Sequence, residues 1–209
     1  MKITQQELNL MITKHEEYLY HYDNCNAAKA DTSEDFNISN VLLKPSFYRL
    51  DLQFLDFEGA DLRGADLRLT NLESANLRNV NLAGADLRAT VACDADFQEA
   101  NLSHSFLLAS NFHEVNLSGC NLRYADLEKS NLYGVDLKGA NLSYANFRDT
   151  NLKLADLSAA DAEYTNFENA NLEGANLSGA DLTFANFKNS VLKEANLSRA
   201  KFVFYYPAS

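Results

Sequence analysis

A period of five residues governs most of this 209-residue chain. From Leu52 to Phe202, every fifth position is Leu or Phe in 29 of 31 cases, and the exceptions are Ala92 and Ala162. Two residues before each such centre stands a small residue. Leu50 and Leu55, at the very start, are the departures. One residue before the centre, 27 of 31 positions are Asp or Asn; Val91, Phe106, Val191 and Lys201 depart. The register never slips, so no loop other than a multiple of five interrupts it. Five fits neither a helix at 3.6 nor a strand at 2. A chain that buries two of every five residues, with one polar residue between them, must turn a corner after each unit. The large centres then fill an interior, and the small residues sit where the backbone pinches in. All eight glycines lie two residues after a centre, and Asn79, Asn169 and Asn189 share that slot. Gly and Asn tolerate the positive φ of a type II turn, so each unit is expected to end in a tight turn.

With its runs Ala60-Asp61-Leu62-Arg63-Gly64 and Ala175-Asn176-Leu177-Ser178-Gly179, the chain resembles the pentapeptide repeat family and its A(D/N)LXX motif. The resemblance covers about three quarters of the chain. It implies an all-β solenoid, a right-handed quadrilateral β-helix with four pentapeptides per coil, in which residues twenty apart stack on one face. At ~4.8 Å per coil it implies about eight coils in a rod roughly 37 Å long. Phe147, Phe167 and Phe187 are then expected to form a column, and Ala92 and Ala162 to leave thin spots.

A coil stack has two ends to cover. Thr4 and Glu7 form a capping-box pattern, and Leu8, Ile12, His15 and Leu19 share one helical face. An amphipathic cap helix is expected over residues 4–20, with an irregular lead-in after it. There Phe36, Ile38, Leu42 and Phe47 suggest degenerate coils. Many members of the family have a similar helical lead-in. The organisation read from the sequence is cap and lead-in over 1–41, repeats over 42–204 and an aromatic tail over 205–209. Phe202, Phe204, Tyr205 and Tyr206 either fold over the last coil or meet a second subunit, so a monomer or weak dimer through this end is expected.

Composition narrows the function. With 18 basic and 29 acidic residues, the net charge of −11 argues against direct nucleic-acid binding. No apolar run approaches the ~20 residues that span a membrane. The N-terminus has no signal-like apolar core, and three cysteines make no disulfide framework; a reduced, cytoplasmic protein is expected. No dinucleotide, P-loop, GxSxG or HExxH pattern occurs. Gyrase-protecting relatives, thought to imitate DNA with an acidic rod, raise a DNA-mimicking modulator of a type II topoisomerase as the alternative. Yet eleven of the acids from residue 42 onward occupy the repeat's own Asp/Asn slot, and they are spread over all four faces. One face reads Arg68, Arg88, Leu108, Glu128, Arg148, Glu168, Lys188, which predicts a mixed salt ladder. The loops and the dimerising helix of Qnr-type members are lacking, although loop-free members of that group exist.

Two constellations remain. Two residues after the centre, one face reads His104, Tyr124, Tyr144, Tyr164, Phe184, Phe204. Such rings either stabilise a corner or form a recognition stripe. Phe106 in an Asp/Asn slot and Leu108 in a polar slot extend it into a candidate protein-binding patch. The partner's identity is not in the sequence. Second, Cys93 and His113 share one slot on successive coils beside Asp94 and Glu114. They are the candidate metal or dyad pair. The side of a rod offers no cleft, so ordinary surface residues are expected there. No cofactor and no catalytic residue are expected, and the reading is a non-enzymatic, protein-binding or scaffold rod.

Overall fold

The computed structural model describes residues 2–28 and 46–203, and only the backbone of residues 18 and 21–28. Phe36, Ile38, Leu42, the His21 side chain and the tail from Phe204 lie outside the described residues.

Helix α1 spans Gln5–Ala28. The capping box forms: Thr4 N–H donates to Glu7 Oε2 at 2.8 Å, and Glu7 N–H donates to Thr4 Oγ1 at 3.2 Å. The Thr4 N–H, helped by the Thr4 hydroxyl donating to the same Oε2 at 2.9 Å, holds the Glu7 carboxyl below its ordinary pKa. The helix runs eight residues past the expected end at residue 20. Residues 21–28 contain no Gly or Pro to stop it, so the irregular lead-in does not begin where the sequence suggested.

From Ser46 onward the chain winds in four-sided coils. Each Asp/Asn slot makes a parallel bridge to the residue twenty further on, from Ser46–Asp66 through Asp181–Lys201. Leu52 N–H donates to Asn71 O at 2.7 Å, and Asn71 N–H donates to Leu50 O at 2.9 Å. The pairing is by isolated bridges rather than extended strands, because a corner every five residues leaves only one residue per side in ladder geometry. At each corner the N–H three residues after the centre closes a turn, as Ala60 does to Phe57 O at 2.9 Å. Every fifth residue from Arg49 to Arg199 has φ between 54° and 70°. The sequence expectation of a positive-φ turn is met at every unit, with or without glycine.

The Asp/Asn slot has its own ladder. Its Oδ1 accepts the N–H two residues on, as Asp56 does from Glu58 at 3.0 Å. Its Asn Nδ2 donates to the slot one coil earlier: Asn131 to Asn111 at 2.8 Å, Asn151 to Asn131 at 3.0 Å. A short polar side chain is needed for the first bond and an amide for the second, which explains why Asp and Asn dominate the slot.

Inside, the Leu and Phe centres from Leu52 to Leu182 are fully buried. The phenylalanine column forms, with ring centroids 5.4 Å apart from Phe147 to Phe167 and 5.1 Å from Phe167 to Phe187. The thin spot expected at Ala92 is offset by its neighbours. Phe97 follows it in the chain, Phe112 lies one coil on, and their buried rings meet at 5.4 Å. Ala162 is likewise followed by the fully buried Phe167.

Helix α1 lies against the first coil. Leu8 and His15 are fully buried, and Met11 and Ile12 pack half-buried on the core. Three sides of the coil's open edge gain partners from this segment. Ile3 N–H donates to Asp51 O at 3.4 Å. The Gln5 amide brackets Asp56, donating to its carbonyl at 2.7 Å and accepting its N–H at 2.8 Å. His15 Nε2 lies 3.1 Å from Arg63 O, and its ring meets Phe47 edge-on at 6.4 Å.

Candidate functional site

The outstanding surface feature is an aromatic column along one corner. It occupies the slot two residues after the centre, where the backbone itself fixes the side chain outward at positive φ. His104, Tyr124, Tyr144, Tyr164 and Phe184 stack in turn, with centroids 4.9, 5.0, 4.8 and 4.9 Å apart. These steps are the coil spacing, so the rings lie flat across the rod axis with their rims outward. Tyr124, Tyr144 and Tyr164 are each exposed by more than two fifths. The guanidinium of Arg123 sits 4.9 Å from the Tyr124 centroid and 5.1 Å from that of Tyr144. Its Nη2 donates to Tyr124 Oη at 3.2 Å. Sequence reasoning missed Arg123, although its place beside Tyr124 in the chain was the signal.

Phe106, two residues after the column's first ring in the chain, is half-exposed, and Leu108 is partly buried. Phe106 keeps its backbone pairing, donating to Ala85 O at 2.9 Å, but it breaks the Asp/Asn ladder between Asp86 and Asp126. Its ring does not join the stack among the described residues. At the far end of the rod, Phe202 and Val203 are exposed, and Phe187, Leu192 and Leu197 are only half-buried.

Cys93 and His113 each have other partners. Cys93 Sγ accepts a hydrogen bond from Asn111 Nδ2 at 3.2 Å, and burial raises its thiol pKa. The His113 ring stacks on Tyr133 at 5.1 Å, with Nε2 3.6 Å from Glu114. No group of three His, Cys, Asp or Glu able to hold a metal occurs among the described residues. Cys120 is buried, as expected of its inward slot, and burial drives its pKa up. A cleft of about 400 Å³ between α1 and the first coil is lined by Gln5, Ile12, Glu16, Asp56 and Glu58, with no nucleophile beside a base.

The expected salt ladder forms only in part. Lys188 reaches Glu168 one coil earlier at 3.0 Å. Arg68 and Arg88 fold back on Asp66 and Asp86 two residues before them, at 2.8 and 2.7 Å, while Arg68 stays 3.6 Å from Asp86 on the next coil. The fork of a guanidinium fits a carboxylate in its own turn better than a point on the next coil. Arg68 thereby holds the Asp66 carboxyl down to about 2. Elsewhere Arg78 pairs with Asp96, Lys153 and Lys193 with Glu173, and Lys201 with Asp181. Much of the rod's acid is thus met by cations of its own. No described helix is long and apolar enough to cross a membrane.

Comparison with known proteins agrees with this geometry. No curated protein matches the sequence. Among solved structures, a trypsin-treated form of QnrB1, a plasmid-mediated fluoroquinolone resistance protein, is 17% identical with a TM-score of 0.68. The match covers 76% of this chain and 80% of that one. Full-length QnrB1 is 18% identical with a TM-score of 0.59, covering 75% and 86%. HetL, a pentapeptide repeat protein from the cyanobacterium Nostoc sp., is 26% identical over 84% and 94%, with a TM-score of 0.40. The model for pentapeptide repeats matches in eight copies, over residues 56–91, 70–107, 94–128, 110–149, 150–183 and 170–203. The chain therefore belongs to the pentapeptide repeat family, and its coils are those of that family's right-handed quadrilateral β-helix.

Proposed function

We propose that this protein is a non-enzymatic rod that docks a protein partner along its aromatic corner. The observation that supports the reading is the stack from His104 to Phe184 at one coil spacing, with Tyr124, Tyr144 and Tyr164 exposed. The turn accepts Leu, Ser, Ala, Glu or Lys at the same φ elsewhere in the slot, so the backbone does not call for rings here. Tyr is favoured at binding surfaces because it offers a large rigid area with a polar tip. In the same reading α1 caps the first of about eight coils, and Phe106 and Leu108 extend the docking surface. We place the protein in the cytoplasm, as a monomer or a weak dimer through its last coil.

The test is capture of partners by the full-length protein, compared with the double variant Phe106→Asn and Tyr124→Ser. A partner held by the parent and lost by the variant supports the reading, and undiminished capture removes it. The second reading, modulation of a type II topoisomerase by DNA mimicry, is favoured by the fold shared with QnrB1. The pairing of Asp66, Asp86, Asp96 and Asp181 with neighbouring cations weighs against a continuous phosphate-like stripe. Titration into a gyrase supercoiling assay, with and without a quinolone, separates the two. Inhibition or protection at micromolar protein reverses their order.

A further inference from the structure

The repeat supplies an internal comparison at the aromatic corner. Arg123 occupies the position just before Tyr124, and its guanidinium lies against both Tyr124 and Tyr144. One coil on, the corresponding position before Tyr144 is Ser143, a small and buried residue. The rims of Tyr144 and Tyr164, 4.8 Å apart, therefore offer the same aromatic surface without a covering side chain from that slot. One coil further, the same slot is Glu163. Its neighbour Asp161 bridges in parallel to Asn141, and Asp161 Oδ2 lies 3.1 Å from Ser143 Oγ.

The charges facing this place are uneven. Arg123 approaches from the coil before. From the coils after come Asp161, Glu163 and the Asp181–Lys201 pair, joined at 2.7 Å. Lys201 feels both Asp161 and Glu163 but spends its hydrogen bond on Asp181. Neither Asp161 nor Glu163 makes a salt bridge with a cation among the described residues. On the neighbouring side, Arg148 is engaged with Asp149 and Lys188 with Glu168.

We propose that the rims of Tyr144 and Tyr164, with Glu163 and Asp161, form a seat for an arginine side chain presented by the partner protein. The proposal rests on the docking reading above and deepens it. Arg123 shows the geometry from within the chain: a planar guanidinium lies against two stacked tyrosines at one coil spacing. At the next seat the chain supplies the rings and the carboxylates, and Arg123 reaches only the nearer ring, Tyr144. The Arg123–Tyr124 bond shows the mode: a planar fork can donate to a phenol oxygen at a ring rim and to a carboxylate together, which a lysine ammonium matches less well. The net charge of −11 favours approach of such a basic segment.

The test is an NMR titration of the full chain, with labelled tyrosines, using a capped Gly-Gly-Arg-Gly-Gly peptide. The lysine and glutamate counterparts are the controls. The ring signals of Tyr144 and Tyr164 are expected to move in a saturable way, ahead of those of the other eight tyrosines. The lysine peptide is expected to bind more weakly and the glutamate peptide not at all. Glu163→Gln and Tyr164→Gly are each expected to weaken binding about two- to fivefold, the range of an exposed charged contact. Tyr164→Gly places glycine where φ is 57°, so it keeps the fold, which a thermal melt verifies. Absence of binding, shifts spread evenly over all tyrosines, or unchanged affinity in both variants overturns the seat. If the seat fails while Phe106→Asn with Tyr124→Ser still abolishes partner capture, the arginine is refuted and the docking surface stands.

Discussion

The first and last described coils are made from the same repeat, yet they end differently. At the first, Leu52, Phe57 and Leu62 are fully buried in one core with Ile3 and with Leu8, Met11 and Ile12 of α1. At the last, Phe187, Leu192 and Leu197 are half-buried, and Phe202 and Val203 are exposed by 37% and 43%. The difference teaches that a pentapeptide cannot finish its own stack. Each coil satisfies its amides and covers its centres only through the next coil, so a non-repeating segment must do both at an end. Here Ile3, Gln5 and His15 do so on three sides of the first coil.

The largest test of that contrast is a matched pair of substitutions. Leu8→Ala is expected to cost about 2–5 kcal/mol, as for a fully buried leucine. Leu197→Ala, at a half-covered centre, is expected to cost about 1 kcal/mol. Urea unfolding reads both, and equal losses would mean that residues beyond 203 cover the last coil as fully as α1 covers the first. Between the ends, Ala92→Leu is expected to lose about 1–3 kcal/mol by overpacking, since Phe97 and Phe112 already fill that layer. A gain in melting temperature would show a real void at Ala92.

Smaller effects sharpen the contrast in the polar groups. Gln5→Ala removes both bonds to the Asp56 backbone and is expected to cost about 1–3 kcal/mol. Lys201→Ala, at the other end, breaks only the exposed pair with Asp181 and is expected to shift the urea midpoint less than Gln5→Ala does. Smallest is the acid response. Hydrogen bonds from Arg68 hold Asp66 down to about 2 in the folded rod, against an ordinary value of 3.8. The stabilisation is therefore present above pH 4 and fades as pH falls from about 4 towards 2. Because Arg68 is solvent-exposed, solvent screens the pair and the effect is the smallest of these. Arg68→Gln is expected to flatten that part of the stability–pH curve, and an unchanged curve would remove the pair from the account.

Much of this was legible in the sequence, for local reasons. The five-residue pattern marked inward centres, pinched corners and outward slots, and the turns appear where Gly and Asn pointed. The face of Leu8, Ile12, His15 and Leu19 read correctly because helical spacing is local, although the helix end at Ala28 did not. The candidate aromatic slot was also visible, since aromatic residues recur at steps of twenty. Arg123 was not singled out. Its role depends on the conformation of a long side chain relative to two rings, one of them a coil away. The foldback of Arg68 and Arg88 was missed for the same reason. A slot list gives neighbours but not which of two carboxylates a flexible guanidinium chooses.

The sequence by itself determined the register: which residue of every five faces inward, which turns the corner and which faces solvent. Those choices are set by side-chain size and by backbone φ within a few bonds. Four sides to a coil, and thus the stacking of residue i on residue i+20, belong to the tertiary structure. A period of five is compatible with any number of corners per coil until the backbone pairs with itself. The ladder from Ser46–Asp66 to Asp181–Lys201 makes that choice. It turns a recurring aromatic letter into a continuous column, and it places Arg123 on two of its rings.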